Sequence, residues 1–82
     1  MNTLEEAARA RPDEVGLHMR LAKMYLDLHR RQDAIAELDT VGELQLEMGM
    51  PQEAIRTVQA IIRLGPDNVE GYRQLLTQLR DQ

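Results

Sequence analysis

Residues Gln32 to Asn68 read QDAIAELDTVGELQLEMGMPQEAIRTVQAIIRLGPDN. Inside this stretch Gln32-Asp33-Ala34-Ile35 returns as Gln52-Glu53-Ala54-Ile55. Outward from it, Leu21-Ala22-x-x-Tyr25 is echoed by Val41-Gly42-x-x-Gln45 and by Leu75-Leu76-x-x-Leu79, and Arg11-Pro12-Asp13-Glu14 by Gly65-Pro66-Asp67-Asn68. Self-similarity of this kind marks repeat architectures, in which each unit buries its apolar face against the next.

The segments between these echoes have helical periodicity. Thr3-x-x-Glu6 forms a capping box for a short helix from Leu4 to about Ala10, which Pro12 ends. Asp13 then caps a helix running to about His29. On it Leu17, Leu21, Met24, Tyr25 and Leu28 make one stripe, and Met19, Ala22 and Leu26 a second on the opposite side. A long central helix follows from Asp33 to Met48, with Ala34, Ile35, Leu38, Val41, Leu44, Leu46 and Met48 spread over more than half its circumference. Gly42 lies in its interior at a cost of roughly 1 kcal/mol against Ala, which close approach of a neighbouring helix would offset. Gly49 suits a left-handed terminator and Pro51 the first turn of a helix reaching Leu64. Gly65 and Pro66 stop that helix. Asp67-x-x-Glu70 reads as a capping box for the last, Val69 to Leu79, whose apolar stripe is Val69, Tyr72, Leu75, Leu76 and Leu79.

These residues resemble the tetratricopeptide repeat, a helix-turn-helix unit of 34 residues. Leu21, Ala22, Tyr25, Ala34 and Ile35 match one unit; Val41, Gly42, Gly49, Ala54, Ile55, Val58 and Pro66 a second; Tyr72, Leu75 and Leu76 the first helix of a third. Leu4, Ala7, Ala8 and Pro12 match the tail of a preceding unit. The resemblance implies an all-α fold of about five helices arranged as antiparallel hairpins, an α-solenoid fragment in a single domain over residues 1–82. One departure stands out. Val41 to Leu75 spans the full period, but Leu21 to Val41 spans only 20 residues, short by about one helix. The central helix Asp33 to Met48 then closes one unit and opens the next.

The resemblance also implies a groove, lined by first helices, that takes up peptides. The matching positions are Met19, Arg20, Lys23 and Leu26 on the first long helix and Asp39, Thr40 and Glu43 on the central one. The version of the family that clamps a terminal carboxylate with Lys and Asn is not matched. Lys23 is basic, but the Asn residues are missing and Asp39 and Glu43 are acidic. A basic or apolar partner suits this face, with Met19, Lys23, Leu26, Asp39 and Glu43 as the partner-binding candidates.

Composition narrows the alternatives. The chain has 82 residues, 43% of them hydrophobic, a globular value. With no Phe or Trp and two Tyr, the core must be built from Leu, Ile, Val, Met and Ala. A net charge of −4 disfavours nucleic acid. Arg30-Arg31 reads as a solvated helix end, where cations are favoured. The absence of Cys fits a reducing compartment, so a cytoplasmic location is expected. No apolar run reaches the roughly 18 residues of a membrane span.

Catalytic signals are missing. His18 and His29 would lie roughly 16 Å apart along one helix, too far to share a metal; Glu14, one turn from His18, could hydrogen-bond to it. No phosphate loop, zinc motif or calcium loop is present. The expectation is a non-catalytic protein–protein interaction module needing no cofactor or metal. A structural cap at the C-terminal end of a longer array is the alternative, with a helical DNA-binding domain behind it. Self-association as a two-fold dimer is expected through Leu4, Ala8, Met19, Ala22 and Leu26, because the Met19–Ala22–Leu26 stripe has no internal partner in the sequence pattern. Met24 and Met48 are expected in the core and Met19 exposed.

Overall fold

The structure, a computed structural model, describes residues 14–81. Over that range the chain is all-helical, with four helices and no strand: α1 (Val15–Asp27), α2 (Arg31–Glu47), α3 (Pro51–Leu64) and α4 (Val69–Arg80). The expected helix from Leu4 to Ala10, the Asp13 cap, and Leu4 and Ala8 lie outside the described residues.

Each helix packs on its neighbours in sequence, α1 on α2, α2 on α3 and α3 on α4. The connections, 28–30, 48–50 and 65–68, are short enough to turn the chain straight back. Helices in a row give a slab of 42 × 27 × 14 Å rather than a sphere.

The first two turns are built alike, 20 positions apart. After α1 the Arg30 N–H donates to the Tyr25 carbonyl at 2.7 Å; after α2 the Met50 N–H donates to the Gln45 carbonyl at 2.8 Å. Both close over a residue in the left-handed region, His29 (φ 59°) and Gly49 (φ 72°). This is the six-to-one bond of a Schellman terminus. Gly49 terminates as expected. His29 does so without glycine's freedom, so α1 stops at Asp27, short of the expected His29. α2 accordingly begins at Arg31, two residues ahead of the expected Asp33, and ends at Glu47, one before Met48.

The entry to α4 corrects another expectation. The cap is Asn68, whose Oδ1 accepts from the Gly71 N–H at 3.3 Å. The helix starts at Val69, so Asn68 rather than Asp67 stands three residues before the orphan N–H. A Cβ on residue 71 would collide with the Asn68 amide, so glycine there leaves room for the cap.

The core follows the helix order. His18, Leu21 and Ala22 of α1 and Ala34 and Ile35 of α2 are buried at one end. Ala54, Ile55 and Val58 of α3 and Leu79 of α4 form the cluster at the other, with Ile62, Tyr72, Leu75 and Leu76 packed against it. Val41 and Ile61 are the largest side chains wholly removed from solvent. α2, packed on both sides, is the central helix, as expected. Met48, expected in the core, is 59% exposed beside a turn, and Leu28 and Leu46 of the apolar stripes are exposed as well. Ala22 is buried, so it cannot belong to a self-association surface.

Gly42 is buried, but a Cβ there would meet its nearest neighbour, Thr57 Cγ2, at 3.7 Å, an ordinary contact. The helices do not approach so closely that a side chain is excluded. Beside it a buried polar pair joins α2 to α3: Thr57 Oγ1 donates to Gln45 Oε1 at 2.6 Å. Between α1 and α2, His18 Nδ1 lies 2.7 Å from Glu37 Oε1. Among the described residues every buried side-chain nitrogen and oxygen has a partner.

Candidate functional site

α2 and α4 both pack on α3 and leave a cleft between them. Its floor is Ala54, Val58 and Ile61 of α3, all buried. Leu38, Gly42 and Leu46 of α2 line one wall, and Tyr72 and Leu75 of α4 the other. Asp39 and Glu43, also of α2, stand at the rim. The missing side chain at Gly42 keeps this space open. Its volume is about 90 Å³. Small-molecule pockets run to roughly 300–1,000 Å³, so this space matches a side chain rather than a metabolite.

Tyr72 fixes one part of the rim. Its hydroxyl donates to Asp39 Oδ1 and Oδ2, each at 2.8 Å, and so bridges α4 to α2. Burial, then the hydrogen bond to Asp39 and that carboxylate's charge, push the Tyr72 hydroxyl pKa up to about 12. The Asp39 carboxylate is thereby oriented while keeping outward lone pairs for a further donor. Glu43 lies one turn along α2 and Glu47 a turn beyond that. Asp39, Glu43 and Glu47 form no ion pair among the described residues, although Arg30–Asp33, Arg56–Glu53 and Arg73–Glu70 do.

The five partner-binding candidates fall into two separate groups. Asp39 and Glu43 are at the cleft. Met19, Lys23 and Leu26 are exposed on α1, away from it. Sequence reasoning missed the apolar part of the cleft. Tyr72 and Leu75 read as the buried stripe of the last helix, and nothing local shows that α2 leaves them half-covered.

A second depression, at the α1–α2 turn, is lined by Leu26, His29, Arg30, Arg31, Gln32 and Asp33. It is larger, about 580 Å³, but opens broadly to solvent. Arg30 is already engaged there: its Nε donates to Asp33 at 2.7 Å and its guanidinium sits 5.0 Å from the Tyr25 ring centroid. Among the described residues no three His, Asp or Glu side chains converge as a metal site, and no helix is long and apolar enough to cross a membrane.

No family model matches the chain, and neither the curated proteins nor the solved structures contain a match.

Proposed function

We propose that the chain is a non-catalytic protein–protein interaction module of tetratricopeptide-repeat type, and that the α2–α4 cleft is its docking site. The observation that carries this reading is the pairing of an apolar floor with an acidic rim, Ala54, Val58 and Ile61 beneath Asp39 and Glu43. The partner is a protein segment with one apolar anchor flanked by Lys or Arg. The anchor leaves water for the floor, and the cations meet carboxylates that form no ion pair among the described residues. The same rim repels nucleic acid.

Fluorescence anisotropy with a labelled peptide carrying one Leu among lysines tests this reading. Saturable binding is expected, weakened by salt and by Asp39→Asn with Glu43→Gln. Equal binding of a peptide with glutamates in place of lysines would overturn it. The terminal-cap alternative draws on the outer face of α4, where Glu70, Arg73, Gln74, Thr77 and Gln78 are exposed.

A further inference from the structure

We propose that one occupant of the α2–α4 cleft is the outer face of α1 from a second copy of this chain. This rests on the docking site proposed above and names a partner for it. α1 buries His18, Leu21 and Ala22 against its own fold and turns Met19, Lys23 and Leu26 outward. At helical spacing these three share one stripe, with Arg20 beside it. Met19 is half exposed, the unbranched and adaptable kind of side chain that fills irregular apolar space. Neither Arg20 nor Lys23 forms an ion pair among the described residues.

The cleft offers the complement. It has room for about one apolar side chain, with Leu46 and Leu75 beside it. Asp39 and Glu43 stand at its rim, Glu47 follows one turn further along α2, and the three repel each other. A helix carrying Met19 as the anchor, with Lys23 one turn on and Arg20 alongside, supplies the apolar group and the counter-charges together. The exposed charges of each surface thus find in the other the counter-charges with which they form no ion pair among the described residues.

The two surfaces are different patches, so one copy's α1 meets another copy's cleft. A contact built on one helix face is small, and its affinity is correspondingly weak.

Light scattering of the 82-residue chain, from micromolar to submillimolar concentration, tests the proposal. The mean mass should rise with concentration and fall back as salt is added. Lys23→Glu and Glu43→Lys are both exposed changes that leave the core untouched. Each should weaken association about tenfold or more, like charges now facing each other. The double variant should recover affinity to within about threefold of the parent, because the attraction is restored with its sign reversed. A parent that stays monomeric throughout, single variants without effect, or a double variant no better than the singles would each overturn the proposal. If the parent is monomeric while the basic peptide still binds, only the second-copy occupant is lost and the docking site stands.

Discussion

The hydroxyl of Tyr72 donates to both carboxylate oxygens of Asp39, joining two helices whose backbones do not pack on each other. Tyr72→Phe removes this bridge, and a hydrogen bond to a charged group contributes about 1.5–3 kcal/mol. The melting temperature should fall. The raised pKa adds a pH signature. The unfolded chain releases the Tyr72 proton near the ordinary value of 10, the folded chain only near 12. Below pH 10 the stabilisation is fully present, and it is lost as pH rises through this window. Spectrophotometric titration of the folded parent should show a tyrosine ionising near pH 12 whose step is missing from Tyr72→Phe.

His29 and Gly49 close equivalent turns in the same left-handed conformation. That conformation costs a residue with a Cβ about 1–2 kcal/mol. His29→Gly should therefore stabilise the protein by about 1 kcal/mol. Gly49→Ala should destabilise it by a similar amount, through strain alone, since a Cβ there would meet no atom within 4 Å. Chemical denaturation of the two variants against the parent checks both signs.

Gly42 separates stability from binding. Gly42→Ala has room and gains helix propensity, so stability should rise by about 0.5–1 kcal/mol. Gly42→Leu pushes a side chain into the space that the cleft leaves open and should abolish peptide binding. Retention of parental affinity by the Leu variant would show that the peptide sits elsewhere.

Thr57 and Gln45 test the buried polar pair. Thr57→Val leaves the Gln45 amide oxygen unpaired and should cost about 1–3 kcal/mol. Thr57→Val with Gln45→Leu removes both partners and should recover most of that loss in a denaturation experiment.

Helix order and the later turns were legible because their signals are local. Gly49 and Pro51 mark one turn, Gly65 and Pro66 another, and each acts on the backbone at its own position. What went unread depends on choices between near-equals or on distant residues. Asp67 and Asn68 can both cap, and only the start of α4 at Val69 selects Asn68. A left-handed His29 has no sequence signature, so periodicity alone extends α1 past its end at Asp27. His18 meets Glu37 and Tyr72 meets Asp39 across 19 and 33 residues, which no periodicity connects. Asp39 and Glu43 are groove positions that the family resemblance implies, and both line the cleft. Leu38, Leu46, Tyr72 and Leu75 were not legible as cleft residues, because periodicity marks a face as apolar without showing how far a neighbour covers it.

Nuclear magnetic resonance of the labelled chain, titrated with the single-leucine basic peptide, tests the docking site most directly. Saturable shifts are expected, concentrated at Leu38, Asp39, Gly42, Glu43, Leu46, Tyr72 and Leu75, with α3 amides beneath them following. Shifts centred on Leu26, His29 and Gln32 at the α1–α2 turn, or no saturable shift at all, would contradict it.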